Sequence, residues 1–211
     1  MLVLDILEYA YVRMGISRRY VFAVLLLSLL GSYVNIPIAQ FPGKRVVLDE
    51  EVIAFGVHYV VPIVRDWPGT VLAVNVGGAV VPTLLSLYLL VKHRLYGRAM
   101  VGAGIIAAVC HTVARPVPGL GIVEPVFVPP LATMIVALLL SRARAAPLAY
   151  ISGTLGTLIG ADLLNLDQLT KLGAPIVSIG GAGTFDGIFV NSIVAVLLAS
   201  LATRGRATGK P

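Results

Sequence analysis

Long apolar runs separated by short charged segments constrain this sequence most strongly. Only 12% of its 211 residues are charged and 58% are hydrophobic, whereas soluble domains carry about 25% charged residues. A helix needs about 20 mostly apolar residues to cross a membrane, with a lower limit near 17. The sequence therefore predicts an all-α integral membrane protein with about six transmembrane helices, in which residues 1–211 form one polytopic domain. The six runs are Tyr20–Ala39, Thr70–Val91, Ala99–Ala114, Val126–Leu140, Pro147–Leu166 and Asp186–Thr203.

The basic residues distinguish the two sides of the predicted membrane. If the N-terminus lies inside, most of the sixteen Lys and Arg residues fall in inner segments, as the positive-inside rule requires. Most acidic residues fall in the outer segments or at the outer ends of spans. An even number of spans then places both termini in the cytoplasm of a multi-pass cell-membrane protein. The net charge of +6 is explained by topology and by contact with anionic membrane lipid, so nucleic-acid binding is not predicted.

The segment between the first two runs, residues about 40–69, is too short in its apolar part to cross the membrane. It is rich in β-branched residues, and the turn sequences FPGK and RDWPG bound it. We predict an extracytoplasmic β-hairpin that lies over the helices and offers a sheet edge for strand addition by an extended peptide. His58, in this hairpin, is expected to be an exposed loop histidine.

Two Gly/Pro-rich segments are expected to enter the membrane as re-entrant, non-helical backbone sheltered by protein. In GIVEPVFVPP, before the fourth run, Pro125, Pro129 and Pro130 oppose regular helix. In SIGGAGTFD, before the last run, the glycines Gly180, Gly181 and Gly183 allow turns at positive φ or close backbone packing.

Two aspartates are the main candidates for chemistry. Asp162 lies near the C-terminal end of the fifth run, where the helix dipole disfavours a negative charge, and Asn165 shares its face. Asp186 opens the last run, where capping of the helix start is the simplest explanation for an aspartate. Because consecutive spans are usually adjacent, we expect the two carboxylates at the same outer level. Two close carboxylates do not both ionise easily, which is the physical basis of an acid/base dyad that activates water.

Further polar side chains concentrate in the outer halves of the predicted spans, which indicates a cavity open to that side. A metal site built from His111, Glu124, Asp162 and Asp186 is a weaker alternative. No cofactor is predicted, since the sequence has no H-E-x-x-H motif and no clustered histidine pair. The supporting polar residues are Asn35, Asn75, His111, Arg115, Glu124, Asn165 and Asn191.

Three segments carry a resemblance to a known family: AVNVGGAVVP (73–82), GADLLNL (160–166) and GGAGTFDGIFV (180–190). In these the chain resembles domain-of-unknown-function family 1614, which consists of archaeal and bacterial multi-pass membrane proteins, and the likeness extends over most of the chain. The resemblance implies a polytopic membrane protein and no established chemistry. A weaker likeness to presenilin-type intramembrane aspartyl proteases rests on paired aspartates on adjacent helices. Here GAD and GTFD stand where those proteases carry GxGD, so the protease interpretation is an analogy.

Three functions follow as hypotheses from this pattern. The first is an intramembrane hydrolase of aspartyl-protease type, in which Asp162 and Asp186 cleave a membrane-anchored peptide presented by the hairpin. The second is a cation- or proton-coupled transporter or channel, in which the same aspartates bind the ion and Asn35, Asn75 and Asn191 line the path. The third is a membrane assembly protein without turnover.

Overall fold

Helices dominate the fold. A computed structural model describes residues 2–42, 45–54, 57–66, 69–117, 121–169, 176–181 and 187–204. Its helices are α1 (Leu2–Arg13), α2 (Arg18–Gly31), α3 (Val81–His93), α4 (Tyr96–Val113), α5 (Val128–Leu140), α6 (Ala145–Thr157), α7 (Leu166–Leu169) and α8 (Gly187–Arg204). Its strands are β1 (Asn35–Phe41), β2 (Arg45–Ala54), β3 (Val57–Asp66), β4 (Thr70–Asn75), β5 (Arg115–Val117), β6 (Gly121–Val123) and β7 (Ile176–Ile179).

Several helices have the length and composition of membrane spans. Three qualify on their own: Val76–His93, which includes α3, then α4, and Arg142–Gln168, which includes α6. A fourth span results if α1 and α2, which meet at an angle of 114°, act together. The helices α5 and α8 are apolar but shorter. The described residues therefore form a mostly helical protein with three to four candidate membrane spans, fewer than the six full-length helices expected.

The prediction that the first two apolar runs are continuous helices was wrong. α2 ends at Gly31 and the chain continues as β1, while the second run starts as β4 and becomes helical only at Val76. β1 pairs antiparallel with β4, and β4 pairs parallel with β7, so a mixed three-stranded sheet has the order β1–β4–β7. Hydropathy cannot separate an apolar strand from a helical segment of the same length. Here the pairing partners, which are distant in sequence, decide in favour of strands.

The N-terminal segment, which precedes the first predicted span, forms α1. Ala10, Tyr11 and Met14 on this helix and the following turn are buried in the main hydrophobic core. With Leu7 they follow the i, i+3, i+4, i+7 spacing of an apolar helix face. The helix is too short to cross a membrane alone, since 12 residues span about 18 Å at 1.5 Å per residue.

A hairpin forms in the segment where turn residues predicted one. β2 pairs antiparallel with β3 from Arg45↔Asp66 to Ala54↔Val57. His58 lies opposite Ile53 in this register, and its side chain lies outside the described part of the chain.

The proline-rich entry to the fourth run is more helical than expected. Pro129 and Pro130 are buried in the first turn of α5, which begins at Val128. The N–H groups of a first helical turn have no intrahelical partner, so a proline there loses no hydrogen bond. Pro125 precedes the helix, between it and the small β5–β6 ribbon.

α6 is the central helix of the bundle. It packs against α3, α4, α5 and α8, and nearly all its side chains are buried. A Cβ at Gly156 would lie 2.6 Å from Ile106 Cβ, and one at Gly160 would lie 2.3 Å from Ala107 O. The Gly156–Gly160 stripe is therefore a packing seam against α4, and its small-xxx-small spacing is typical of such seams between membrane helices.

Basic side chains collect at one end of the bundle, where the chain turns between α1 and α2, α3 and α4, and α5 and α6. Lys92 Nζ donates to Gly15 O at 2.7 Å, and Arg144 donates to His93 O. We call this the basic end, and the opposite end, which carries the β1–β4–β7 sheet, the sheet end. The described basic side chains at the basic end are Arg13, Arg18, Arg19, Lys92, Arg94, Arg98, Arg142 and Arg144.

Candidate functional site

A cavity of about 250 Å³ opens at the sheet end, between the start of α5, the end of α6 and the start of α8. Its polar lining consists of Glu124, Thr157, Asp162 and Asn191, and prolines and aliphatic side chains complete the wall. Two carboxylates thus share one cavity with a hydroxyl and an amide. This arrangement is suited to acid/base chemistry or to cation binding.

The helical geometry at the end of α6 places Asp162 in this cavity. A π-helical turn, Leu158–Asp162, follows α6 and leads into a short 3₁₀ turn. The buried Asn165 stabilises the turn, since its Nδ2 donates to Gly160 O and to Ala161 O, both at 2.9 Å. Asn165 is therefore a structural residue, and Asp162 is left half-buried at the cavity wall.

Asp162 also binds the segment that follows β7. Its Oδ2 accepts a hydrogen bond from Gly180 N at 2.7 Å. Gly180 and Gly181 have φ values of +85° and +74°, in the region that glycine adopts without steric cost. The prediction that these glycines turn the backbone at positive φ is confirmed. Asp162 thus faces a different neighbour from the Gly156–Gly160 seam.

Gly180, directly after β7, lies very close to the π-helical turn that starts the third helix, Val76–Val80. A Cβ at Gly78 would lie 1.9 Å from Gly180 O, and a Cβ at Gly180 would lie 2.6 Å from Ala79 N. Both distances are far below van der Waals contact, so the two backbones approach to a distance that only glycine permits.

A chain of buried polar groups extends from the cavity into the bundle. Asn191 Nδ2 donates to Thr157 Oγ1 at 2.5 Å, and Thr133 Oγ1 donates to Asn191 Oδ1 at 3.4 Å. The thiol of Cys110 lies 3.5 Å from Thr157 Oγ1. These hydrogen-bonded side chains join α4, α5, α6 and α8. Their hydrogen bonds satisfy polar groups that would otherwise be costly to bury.

The bundle between these polar groups and the basic end is mostly apolar. Leu148, Ile151 and Val196 are fully buried there in the main core. The same region also buries the Thr154–Ser192 hydroxyl pair, 2.8 Å apart, and the rings of Tyr11 and Tyr150. The residues that line the cavity lie at the sheet end.

A second polar cluster holds the sheet against the helices. Asn75 Nδ2 donates to Ser32 O at 2.7 Å and to Asn35 Oδ1 at 3.0 Å, and its Oδ1 accepts from Gly78 N at 2.8 Å. Ser178 Oγ donates to Asn35 Oδ1 at 2.6 Å. Asn35 and Asn75 thus join β1, β4 and β7 to the start of the third helix, and they do not line the cavity.

Asn75→Ala is expected to lower the free energy of unfolding by about 2 kcal/mol, because it leaves the buried Ser32 carbonyl and Gly78 N–H without a side-chain partner. The midpoint of unfolding in a dodecyl sulfate titration, followed by circular dichroism, measures this loss. Thr112→Ala removes an exposed hydroxyl and serves as the control. An equal stability of the two variants would contradict the structural role of Asn75.

The structure brings some predicted site residues together and separates others. Glu124, Asp162 and Asn191 line the same cavity. His111 and Arg115 are exposed and do not line it. The buried face of α4 continues from Ala103 and Ala107 to Cys110, and His111 lies outside that face. Asp186 and Gly183 lie outside the described residues, so the Asp162–Asp186 pair remains a prediction.

The alternative metal site is incomplete in the described part of the chain. His111 does not reach Glu124 and Asp162 in the cavity, and no group of three His, Cys, Asp or Glu among the described residues could hold a metal ion. Asp186, the fourth predicted ligand, is not among them.

Thr157, Thr133 and Cys110 were not predicted as part of the site. All three lie in apolar runs, where a hydroxyl or a thiol is compatible with simple packing. Their sequence signal is weak, and only the meeting of four helices shows that they extend the polar lining inwards.

Comparison with known proteins identifies a family and no close relative. A family model described as a protein of unknown function (DUF1614) matches residues 29–198, which include the cavity, the described sheet and the hairpin. No curated protein and no solved structure matches the chain. The likeness to presenilin-type proteases therefore has no support from known proteins.

Proposed function

The chain belongs to the DUF1614 family of proteins of unknown function, and from its cavity we propose that it is an intramembrane hydrolase of aspartyl-protease type. Asp162 and Asp186 are the proposed acid/base pair. The observation that carries the proposal is the position of Asp162 in a cavity between helices, beside Ile188 of α8. Asp186 directly precedes Gly187, the first residue of α8, and is two residues from Ile188 in the sequence.

The proposed reaction needs one carboxylate ionised and the other protonated. The ionised carboxylate takes a proton from a water molecule, whose oxygen attacks the peptide carbonyl carbon, while the protonated carboxyl gives its proton to the carbonyl oxygen. Collapse of the tetrahedral intermediate breaks the C–N bond, and the amine leaves with a proton from the pair. One peptide bond and one water yield one carboxyl and one amine.

The sheet offers a means of holding the substrate. β7 is an edge strand of the β1–β4–β7 sheet among the described residues, and it leads directly to Gly180, whose N–H binds Asp162. A peptide added as a strand at this edge would have its backbone hydrogen-bonded beside the cavity. Among the described strands the β2–β3 hairpin pairs only within itself.

The position of the cavity at one end of the bundle favours hydrolysis over conduction. A channel needs an open path to both faces, whereas the cavity lining lies at the sheet end and Leu148, Ile151 and Val196 are fully buried in the packed core. Hydrolysis requires access for substrate and water from one side only.

Cation or proton transport is the second candidate, and Glu124 is the observation that favours it. Glu124 lines the cavity with Asp162, and Thr157 and Asn191 supply further oxygen ligands. Carboxylates between helices are common in proton and cation pathways. In this function the packed core between the cavity and the basic end would have to open during each transport cycle.

The proposed membrane arrangement follows from the basic end. We infer that this end faces the cytoplasm, according to the positive-inside rule, and that the cavity opens to the other side. In this arrangement α5 and α8, with the segments next to them, complete six crossings, and both termini are cytoplasmic.

The test is hydrolysis by the purified full chain in vesicles that contain a pool of single-span peptides. We expect the peptides to be cleaved. When the reaction runs in water enriched in ¹⁸O, mass spectrometry should detect one labelled oxygen atom in each new carboxyl group. A peptide isostere with a secondary hydroxyl at the scissile position should inhibit, because it mimics the tetrahedral intermediate. Intact peptides combined with proton or cation flux would replace this proposal with transport. Intact peptides without flux would leave the assembly role.

A further inference from the structure

A second cavity, at the basic end, has the features of a lipid site. We propose that the ends of α5 and α8 bind the headgroup of an anionic phospholipid. The cavity measures about 430 Å³ and is lined by Leu138, Arg142, Ala143, Ala202 and Thr203. The site lies at the opposite end of the bundle from Asp162 and does not depend on the proposed hydrolysis.

Two guanidinium groups give this cavity its charge preference. Arg142 lines it directly, and Arg13 Nη2 donates to Thr203 Oγ1, a hydroxyl of another lining residue, at 3.3 Å. Guanidinium groups bind phosphate oxygens through paired N–H donors, which gives geometric specificity as well as charge. Arg13 and Arg142 come from different helical segments, so only the folded bundle brings them near one cavity.

Among the described residues, no carboxylate lines this cavity. None of the five residues that line this cavity is acidic. The helix that carries Arg13, α1, also carries Asp5 and Glu8. These two acids line a separate cavity with Arg18, and Glu8 forms an ion pair with Arg18. An anion in the α5–α8 cavity would therefore meet positive charge.

The apolar surroundings favour a lipid over a free anion. Leu138 and Ala202 form part of the cavity wall, and the neighbouring Leu139 and Leu201 expose 78% and 57% of their surface. Large exposed leucines at the end of apolar helices are suited to contact with acyl chains. A phospholipid can place its phosphate between the arginines while its chains cover these leucines, as in basic pockets between membrane helices that bind anionic headgroups.

The test compares phosphatidylglycerol with phosphatidylcholine on the full chain in detergent micelles, with native mass spectrometry to count bound lipid. Arg142→Gln is expected to weaken phosphatidylglycerol binding at least about fivefold, because it removes the charge that lines the cavity. Arg19→Gln is the matched control: it removes a charge at the same end, where Arg19 lies over the Tyr20 ring and not in the cavity. This control should change binding less than about twofold.

Three results would overturn the proposal. Equal losses in Arg142→Gln and Arg19→Gln would show that only general surface charge attracts the lipid. Equal binding of phosphatidylcholine by the unmodified chain would remove the charge preference. Competition by inorganic phosphate at the concentration of the lipid would show a free-anion site.

Thr203→Val, which removes the hydroxyl that Arg13 contacts without removing a charge, should weaken binding less than Arg142→Gln does.

Discussion

Asp162→Asn is expected to lower peptide cleavage at least about 1000-fold while the protein remains folded. Asparagine has nearly the shape of aspartate, and its side-chain oxygen can still accept the hydrogen bond from Gly180 N that Asp162 Oδ2 accepts at 2.7 Å. The variant loses only the ability to exchange a proton at this position. The measurement is the rate of peptide cleavage in vesicles, together with the unfolding midpoint of the same preparation.

Two further variants separate chemistry from structure at this position. Asp162→Ala should lose cleavage equally and should also be about 1 kcal/mol less stable, because Gly180 N–H loses its partner. Asp167→Asn, which removes an exposed carboxylate outside the cavity, should keep full activity. If Asp162→Asn cleaves at the unmodified rate, the hydrolase proposal is wrong, whatever the stability of the variant.

The same reasoning applies to the proposed partner of Asp162. Asp186→Asn should cause a loss of the same size, and the double variant Asp162→Asn/Asp186→Asn should be no worse than either single variant, since groups that act as a unit are not additive. Losses that multiply in the double variant would show that the two carboxylates act in separate places.

Gly78→Val is expected to destabilise the fold by at least about 3 kcal/mol, the largest structural effect anticipated for this chain. A Cβ at this position would lie 1.9 Å from Gly180 O. The obstacle is backbone on both sides, so no side-chain rotation relieves it. Valine would push Gly180 away from the third helix and would break the hydrogen bond from Gly78 N to Asn75 Oδ1.

The control for this substitution is another glycine in a helix. A Cβ at Gly104, in α4, would meet nothing within 4 Å, so Gly104→Ala should leave stability unchanged or raise it by up to about 1 kcal/mol. The dodecyl sulfate midpoint measures both variants. A Gly78→Val protein that unfolds at the unmodified midpoint would contradict the close packing of β7 against the third helix.

These two expected effects are linked through one short segment. Gly180 contacts Gly78 on the helix start and Asp162 at the cavity wall, and Ser178, two residues earlier, binds Asn35. The strand β7 thus attaches the cavity to the three-stranded sheet. If the cavity is catalytic, changes in the sheet should alter activity as well as stability.

For the two apolar runs that contain β1 and β4, the sequence did not determine whether the segment is helix or strand. Asn35–Phe41 and Thr70–Asn75 are apolar enough to extend a helix, but each finds a strand partner far away in the chain. For the candidate site, Asp162, Glu124 and Asn191 were identifiable as polar groups within apolar runs. Thr157, Thr133 and Cys110 were not, because small polar residues in such runs pack equally well without a function.

The sequence alone determined the class of protein, the separation of basic from acidic segments and the position of the hairpin. Apolar run length, charge and turn residues are local properties, so they can be read without knowing which segments meet. Only the tertiary structure decided which apolar segments are strands, that α1 is part of the core, and that Glu124, Asp162 and Asn191 face one cavity while His111 does not. Those outcomes depend on contacts between segments distant in the chain, and a strand or a shared cavity exists only when its partners are in place.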